Sequence, residues 1–476
     1  MITWCYRFGS EVDVVEVARR LSRRRNFVWL DSAAPGPPGS DGHPMGRFSF
    51  LSVDPDDTLT AAVEDPNPWP TLKSKIQGTA VGPCDDAIVV LDSQSQSTGP
   101  VVRPPIVGGW VGFLGYEAGH WLETIPIAKE RDLSSAALHL SHYSWFFVTD
   151  HVSGESALWG RSSGRYEAEA RCAEIQGWLA EEPMFAETPF ASQQGVPRDA
   201  PPPARSNMES DAFRAAVDEI ILRIRRGDCF QVNLAHQLCS RTRASALATY
   251  KVLRAANPAP MAGFYDACDF QILCSSPEGF LQVRDGVVET RPIKGTIGRS
   301  RYPMADLAMA DQLSASEKDR AENIMIVDLM RNDLSRVCDD TSVEVPVLCR
   351  VEKYAHVQHL VSVVRGRLRP ECDCVDLLAA CFPGGSITGA PKIEAMRIIA
   401  ELERSTRGPY CGSLGYISDS GSADFNILIR TMTYRDGQLR IPVGGGITAR
   451  SDAAAEERET WIKARGMMDA VAGGGG

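Results

Sequence analysis

The sequence predicts an α+β fold, because segments with strand periodicity and segments with helix periodicity follow one another without a regular strand–helix alternation. The first 180 residues contain short β-branched and aromatic runs, among them NFVWLDS, GRFSFLSV, AIVVLD and HYSWFFVTD. Helices are expected near residues 11–25 and 166–180, and amphipathic helices recur after residue 208. The chain therefore combines a mainly β region with a mixed region.

Composition limits the kind of protein this can be. The chain has 476 residues, 43% of them hydrophobic, which suits two or three domains or one elaborate one. Its 50 basic and 61 acidic residues give a net charge of −11, which disfavours nucleic acid and anionic membrane surfaces as partners. The thirteen cysteines are scattered, and no apolar run reaches the roughly 18 residues of a membrane helix. We therefore expect a cytoplasmic protein with reduced thiols.

A proline-rich segment divides the sequence into regions. Residues 181–208 contain six prolines and few large apolar residues, which favours a linker over a helix or a central strand. The linker separates a β-rich region, residues 1–180, from a second region, residues 209–470. A glycine tail is expected over residues 471–476.

Two elements are predicted directly after the linker. Ser206 and Glu209 have capping-box spacing ahead of a helix that Gly227 would end. The next segment, FQVNLAHQL, alternates apolar and polar residues from Phe230 onward. This alternation predicts a half-buried strand with Gln231 on the face opposite the apolar residues.

Acidic residues recur at helical spacing in two later segments. Asp319 and Glu322 share one face of a helix entered at Ser316, and Glu456 and Glu459 share a face of the last helix. Taken singly, each pair is typical of a solvated surface. If the two helices face each other, the carboxylates build an oxygen site suited to Mg²⁺, whereas the lack of His and Cys argues against zinc.

A β-hairpin is predicted about Asp285 and Gly286. Glu278 lies near one end of the hairpin and Lys294 near the other, so the hairpin brings them close together. Such a pair is most often a salt bridge. In a closed site it would instead supply a general acid and an amine nucleophile.

Glycine-rich segments allow two interpretations. FPGGSITGAPK precedes a helix opened by Pro391, and it is either a site for an anion or a tight loop capped by Thr388. The run VGGGIT either brings backbone close to a ligand or turns a strand. Cys411 lacks the frame of a glutaminase nucleophile and is expected to be a packed thiol. His359 is either a core histidine or a substrate contact.

Several motifs in order carry a family resemblance. KDRAENIMIVDLMRNDLSRVC, HLVS, FPGGSITGAPK, RGPYCGSLGY, VGGGITARSD and EERETWIKARG are similar to the chorismate-utilising enzymes, and WLDS, GRFSFLSVDP and GGWVGFLGYE extend the match more weakly toward the N-terminus. The resemblance implies a chorismate-binding catalytic region over residues 209–470. It also implies the fold of anthranilate synthase component I, a large two-sheet β-sandwich with helices packed outside. Whether the two regions are separate domains or interleaved lobes stays open.

Two positions distinguish members of this family. Water-adding members carry a lysine where this chain has Gln231, and an amide cannot deprotonate water, so Gln231 implies the use of ammonia. Anthranilate synthases carry P-I-A-G-T where this chain has P-I-K-G-T. Lys294 instead resembles the aminodeoxychorismate synthase branch, in which this amine attacks C2 of chorismate and ammonia then adds at C4. The expected product is 4-amino-4-deoxychorismate, a precursor in 4-aminobenzoate and folate synthesis.

The resemblance also implies roles for the other candidate residues. Glu278 would protonate the departing C4 hydroxyl while Lys294 adds at C2. Mg²⁺ is the expected cofactor. Its expected ligands are Glu322 and Glu459, and the expected supporting carboxylates are Asp319 and Glu456. The residues implied in substrate binding are Gly295, Thr296, His359, Thr388, Tyr410, Arg430, Gly444, Gly445, Gly446 and Lys463.

A partner and a second pocket follow from the same resemblance. The aminating members take ammonia from a glutaminase, and this sequence has no glutaminase elbow, so a glutaminase subunit forming a heterodimer is expected. Anthranilate synthases have a tryptophan feedback pocket. Because Asp31 replaces a glutamate there, a tryptophan-like pocket is compatible with the sequence and feedback control is not expected. The counterparts of its lining residues are Ser32, Pro260, Met261 and Ala262.

Two alternative functions remain open at this point. Anthranilate synthase component I is disfavoured by Lys294. A non-catalytic binding subunit is disfavoured because a scaffold would not need four charged residues inside, namely Glu278, Lys294, Glu322 and Glu459.

Overall fold

The structure is a computed structural model that describes residues 1–8, 12–34, 45–81, 88–91, 102–181, 204–354 and 357–473 of the chain. Most of the predicted linker, and the last three residues of the predicted glycine tail, lie outside these ranges.

The helices agree in position with most of the sequence-based predictions. None of those within the described ranges is both long and apolar enough to span a membrane. Short 3₁₀ turns occur at Tyr116–Trp121 and Gly385–Ile387. The α-helices are α1 (Val14–Leu21), α2 (Trp69–Thr79), α3 (Arg165–Ala180), α4 (Ser210–Arg226), α5 (Ala246–Ala256), α6 (Pro303–Ala315), α7 (Glu317–Ser335), α8 (Cys374–Cys381), α9 (Lys392–Leu402) and α10 (Ala453–Gly473).

The strands form two sheets and are numbered along the chain. They are β1 (Ile2–Arg7), β2 (Val28–Asp31), β3 (Phe48–Ser52), β4 (Asp57–Ala61), β5 (Ile88–Val90), β6 (Gly109–Leu114), β7 (Leu138–Tyr143), β8 (Trp145–Asp150), β9 (Glu155–Ser162), β10 (Arg205–Ser206), β11 (Gln231–Arg241), β12 (Met261–Asp266), β13 (Gln271–Ser276), β14 (Gly279–Arg284), β15 (Val287–Thr290), β16 (Ile293–Gly298), β17 (Glu344–Lys353), β18 (Val357–Arg367), β19 (Gly389–Ala390), β20 (Ser413–Ser418), β21 (Ala423–Asn426), β22 (Thr431–Arg435) and β23 (Gln438–Ile447).

The first sheet has the order β10-β11-β23-β22-β13-β12-β2-β3-β8-β9-β1-β5, with β19 paired to β11. The second has the order β16-β18-β15-β14-β21-β20-β6-β7-β4, with β17 paired to β18. Strands from before and after residues 181–208 therefore share both sheets. Among the described strands of each sheet they meet at one seam, where β2 pairs with β12 and β6 pairs with β20.

The two sheets enclose one apolar core, and helices cover their outer faces. Between the sheets, Val28 and Phe146 from the first sheet cluster with Phe113 and Tyr416 from the second. Helices α1, α3, α5 and α10 share a separate core with the first sheet. Helices α2, α7, α8 and α9 share another core with the second. The predicted α+β sandwich with outer helices is confirmed.

The start of α4 differs from the prediction. The helix begins at Ser210 after Glu209, and neither Ser206 nor Glu209 forms a capping box. Ser206 lies in β10, and its hydroxyl is hydrogen-bonded to His236 Nδ1 at 2.8 Å. Ser206 is therefore part of a paired strand, although its spacing from Glu209 predicts a helix cap. The predicted end is confirmed, because Gly227 terminates the helix with a φ of +89°.

Strand β11 is more buried than its alternation predicts. All residues from Gln231 to Leu238 are buried, so the half-buried interpretation is wrong. Helices α4 and α9 pack against the strand, and it is paired on both edges. Phe230, expected to start the apolar face, lies just before the strand and is 70% exposed.

The hairpin of β14 and β15 is confirmed. Asp285 and Gly286 have φ values of +50° and +73°, as a tight two-residue turn between antiparallel strands requires. The hairpin leads from Glu278 directly into β16, which carries Lys294.

Candidate active site

Glu278 and Lys294 meet at the serine of the glycine-rich loop. Glu278 is buried, and its carboxyl group is hydrogen-bonded to the Ser386 side chain. Lys294 Nζ donates a hydrogen bond to the Ser386 carbonyl oxygen at 3.2 Å. The hairpin therefore brings the acid and the amine to one point, and the loop at residues 385–387 holds them there.

The ionisation of both groups is shifted toward their neutral forms. Burial raises the pKa of Glu278, although the Lys294 charge acts in the other direction. Burial lowers the pKa of Lys294, with Glu322 and Glu278 opposing the shift. A neutral carboxylic acid can donate a proton, and a neutral amine can act as a nucleophile. Both pKa shifts favour the forms that this chemistry needs and disfavour a salt bridge between the two groups.

A β-bulge aims this part of the strand. The pairing of β16 with β18 shifts register between Lys294 and Thr296, so Gly295 is the extra residue. Gly295 has a φ of +70°, and a Cβ there would lie 2.9 Å from Asp319 Cγ. Glycine is required here both by the conformation and by the close approach of α7.

Helices α7 and α10 carry the four carboxylates of the predicted metal site, Asp319 and Glu322 on the first helix and Glu456 and Glu459 on the second. Burial raises the pKa of Glu322 on α7, and Lys294 acts against this shift. The charge of Glu456 on α10 also raises the pKa of Glu322, so the two helices face each other. The predicted metal site depends on the two helices facing each other, and it also needs the carboxylates to be grouped, which the described residues are not. Asp319 lies one turn before Glu322 and is partly buried.

The donor atoms are of the oxygen type that a hard cation prefers, although the described carboxylates are not grouped. Within the described ranges, no three His, Cys, Asp or Glu side chains are grouped closely enough to hold a metal ion. Glu322 Oε1 is buried without a hydrogen-bond partner in the described part of the chain, and Lys318 Nζ is 3.9 Å away. Glu459 is more exposed and forms an ion pair with Lys463 at 2.9 Å. A buried carboxylate oxygen that accepts no hydrogen bond is suited to bind Mg²⁺.

The glycine run lies on β23 next to β11. Gly444, Gly445 and Gly446 pair with residues 233–235 of β11. The Gln231 side chain is buried, and neither its Nε2 nor its Oε1 has a hydrogen-bond partner among the residues that the structure describes. A Cβ at Gly446 would be only 2.7 Å from Gln231 Nε2. The glycine thus leaves room for an amide that is free to meet a ligand.

The predicted cationic and aromatic substrate contacts differ in exposure: Tyr410 is buried, Arg430 is half-buried and Lys463 is exposed. Burial lowers the pKa of Arg430, and no carboxylate of the described residues offsets this shift. Such a guanidinium suits a substrate carboxylate. Tyr410 is buried with its ring 5.9 Å from Arg407 Cζ. Lys463 Nζ donates to the Gly444 carbonyl oxygen at 2.9 Å.

Three other predicted positions are engaged in local contacts. His359 is buried, which lowers its pKa to about 4, and its Nδ1 is 2.9 Å from Thr296 Oγ1. The Thr388 hydroxyl donates to the Gly384 carbonyl oxygen at 2.9 Å, which favours the tight-loop interpretation of this segment. Burial raises the pKa of Cys411 to about 12, so it is a packed thiol as expected.

The four residues of the predicted second pocket line one cavity. Ser32, Pro260, Met261 and Ala262 share this cavity between the sheets. The Ser32 hydroxyl lies 3.3 Å from the Pro260 carbonyl oxygen.

Ser386 is a site residue that the sequence patterns do not predict. It is buried and contacts both Glu278 and Lys294, yet the sequence motif only marks its loop. The signal that could have found it is a hydroxyl residue directly after two glycines.

Comparisons with known proteins identify the family. The family model described as chorismate binding enzyme matches residues 29–469. Aminodeoxychorismate synthase component 1 of Salmonella typhimurium is 38% identical over 430 residues, covering 90% of both chains, and that of Klebsiella aerogenes is 40% identical over 364 residues, covering 76% of this chain and 77% of the relative. The crystal structure of anthranilate synthase component I from Streptococcus pneumoniae has a TM-score of 0.74 and 31% identity, covering 89% of this chain and 92% of that chain. With most of its length matched by the family model and by these relatives, the chain belongs to the chorismate binding enzymes.

Proposed function

We propose that this chain is the chorismate-converting component of an aminodeoxychorismate synthase, which forms 4-amino-4-deoxychorismate from chorismate and ammonia. The observation that carries the proposal is the half-buried Lys294 amine beside the buried Glu278 carboxyl group. The similarity to aminodeoxychorismate synthase component 1 from several bacteria supports it.

The first half of the reaction uses both members of this pair. The neutral Lys294 amine adds at C2 of chorismate, the two ring double bonds shift, and the bond from C4 to its hydroxyl breaks. Glu278 gives its proton to the departing oxygen, which leaves as water. The intermediate is a secondary ammonium adduct between Lys294 and C2.

The second half reverses the shift. Ammonia adds at C4, the double bonds return, and Lys294 leaves C2 as a neutral amine. The new C4 ammonium group returns a proton to Glu278, so the enzyme regains its starting state. The atoms balance as chorismate plus ammonia giving 4-amino-4-deoxychorismate plus water.

Mg²⁺ is the proposed cofactor, and its positive charge would neutralise a substrate carboxylate. Glu322 and Glu459 would hold it, with Asp319 and Glu456 in support. Arg430 would bind another carboxylate of chorismate, and the glycine run on β23 would let the substrate approach the backbone. Gln231 cannot act as a base toward water, which supports amination over hydroxylation.

We further propose a glutaminase partner subunit that supplies ammonia, because Cys411 is a buried, protonated thiol and the sequence contains no glutaminase elbow. Cytoplasmic location is proposed from the cysteines, all of which are free thiols within the described ranges.

Anthranilate synthase component I is the alternative, and the two products can be separated. The purified chain is incubated with chorismate, MgCl₂ and ammonium, and products are resolved by chromatography with mass detection. Because 2-amino and 4-amino isomers have the same mass, a lyase that releases 4-aminobenzoate is added to identify the 4-amino product. Formation of anthranilate with no 4-aminobenzoate would overturn the proposal. Lys294→Ala is the matched control.

A further inference from the structure

Asn323 is a fully buried amide next to Glu322 on α7, and no sequence motif marks it as a site residue. Its Nδ2 donates to two backbone carbonyl oxygens, Leu360 at 3.3 Å and Pro292 at 3.5 Å. Its Oδ1 accepts a hydrogen bond from the Ser362 hydroxyl and lies 3.5 Å from Cys349 Sγ. Both ends of the amide are therefore engaged.

The two carbonyl groups that Asn323 binds flank the lysine. Leu360 is the residue of β18 directly opposite Lys294 on β16. Pro292 lies two residues before Lys294 and also accepts the Ser362 backbone amide at 3.2 Å. One side chain thus links α7 to both strands at the base of Lys294.

The same helix contacts the strand on the far side of Lys294. Asp319, one turn before Asn323, abuts Gly295 at the bulge, where no Cβ would fit. Helix α7 therefore contacts the chain on both sides of Lys294, at Pro292 just before β16 and at Gly295 within it. Because Glu322 precedes Asn323 on this helix, these contacts also set where the Glu322 carboxylate lies relative to the Lys294 amine.

We propose that Asn323 is a positioning residue that fixes the separation between Glu322 and Lys294. This inference rests on the proposed function, since it assigns those two residues their roles. Asn323 itself reaches no substrate. The competing explanation is that the amide only satisfies buried carbonyl groups and stabilises the fold.

Two substitutions and one matched control separate these explanations. Asn323→Asp keeps the size of the side chain and the oxygen that accepts from Ser362. It replaces the donating Nδ2 by an oxygen, which then faces the carbonyl oxygens of Pro292 and Leu360. Asn323→Ala removes the amide altogether. The control, Ser362→Ala, removes two hydrogen bonds from the same buried cluster, the one to Asn323 Oδ1 and the one from the Cys349 amide, while both Nδ2 contacts remain. If Asn323→Ala fails to fold, Asn323→Asp decides.

The first readouts need no turnover. The rate at which an amine-reactive acylating reagent modifies Lys294 is followed by peptide mass spectrometry without substrate or metal. The rise in Tm on adding MgCl₂ is measured in parallel. We expect the Lys294 modification rate and the Mg²⁺-induced rise in Tm to change in the Asn323 variants. In Ser362→Ala both quantities should stay near the wild-type values, even if this variant loses as much Tm as the Asn323 variants do.

Steady-state kinetics give the third readout. A displaced Lys294 amine is poorly aligned with C2 of chorismate in the transition state, so kcat should fall about 100-fold in the Asn323 variants. The KM for chorismate should stay within about threefold of wild type. Asn323 variants that lose Tm as Ser362→Ala does, yet keep kcat, Lys294 labelling and the Mg²⁺ response, would overturn the inference. A wrong proposed function would instead appear in the wild-type products, which this comparison does not use.

Discussion

Gly446 lies against the amide group of Gln231, so that a Cβ at residue 446 would come within 2.7 Å of Gln231 Nε2. The two residues sit on neighbouring strands, β23 and β11, on a diagonal of the antiparallel ladder. The Gln231 amide is buried, and neither of its ends has a partner within the described ranges. The absence of a side chain at one position thereby determines the orientation of the side chain at the other.

Gly446→Ala is expected to displace the Gln231 amide and not to unfold the chain, because the clashing atom is the end of a flexible side chain. Turnover with ammonium should fall by about tenfold or more, with a small change in Tm. The comparison is Gly445→Ala, whose Cβ would meet its neighbours at an ordinary 3.5 Å and should cost less. Equal losses in both variants would contradict the relationship.

Lys294 decides which carbon receives the nitrogen. Lys294→Ala should lose most 4-amino product and shift residual activity to 2-amino products, because C2 is then open to ammonia. Lys294→Arg should be no better, since a guanidinium stays protonated and cannot add to C2. Product analysis, with intact mass of the wild type trapped with substrate, checks both. A normal product ratio at near-normal rate in both variants would make Lys294 structural.

Glu278 should impose the alkaline limb of the pH–rate profile. The reaction needs Glu278 protonated, and burial raises its pKa, so activity falls as pH rises through that pKa. It also needs Lys294 unprotonated, and burial lowers its pKa, so activity falls as pH decreases below that value. Turnover is measured at constant concentration of unprotonated ammonia. Glu278→Gln should retain only about 1% of turnover or less, and its residual rate should lose the alkaline decline. A bell-shaped profile in Glu278→Gln would assign that limb to another group.

In the absence of Mg²⁺, the Glu322 carboxylate should destabilise the folded chain at pH 7. Its pKa is raised in the folded chain, so the folded state holds that proton more tightly, and this contribution to stability is lost as pH rises through the raised value. Glu322→Gln should therefore raise Tm at pH 7 without Mg²⁺ and lose the increase in Tm that Mg²⁺ gives the wild type. Asp328→Asn, an exposed carboxylate on the same helix, is the control and should change neither. A wild-type response to Mg²⁺ in Glu322→Gln would remove Glu322 from the metal site.

Tryptophan should not inhibit the enzyme. The carboxylate beside Ser32 belongs to Asp31, which is already bound by Arg254 Nε at 2.6 Å and by the Tyr250 hydroxyl at 3.0 Å. No free anion is thus left at Asp31 to take an amino group. Initial rates with increasing L-tryptophan check this, and inhibition that Ser32→Ala relieves would show a working feedback pocket.

The local elements of the site were predictable because short-range spacing determines them. Ser316 accepts a hydrogen bond from the Asp319 amide and starts α7 as its cap, as the sequence indicates. The hairpin at Asp285 and Gly286 follows from two residues that tolerate positive φ. Such short-range patterns place Glu278, Lys294 and Glu322 on their elements, and the family resemblance marks them as candidate site residues.

Contacts between distant segments were not predictable in the same way. Ser386 meets Lys294 across 92 residues of sequence, and no periodicity records that distance. The alternation along β11 predicts a half-buried strand, but helices α4 and α9, which come from other parts of the chain, pack against it, and residues 231–238 are all buried. Ser206 carries a capping signal that pairing with β11 overrides.

The two seams give the N-terminal region a particular vulnerability. A fragment ending at residue 181 would leave β2 without β12 and β6 without β20, so each sheet would present an open edge of unpaired backbone groups. Open edges recruit other strands, including those of a second copy. During synthesis the edge of β2 stays open until β12 has been made, at residue 266, and the edge of β6 stays open until β20 has been made, at residue 418. The growing chain is exposed to self-association over that interval. Two complementary fragments produced together would, by the same logic, have matching edges with which to reassemble.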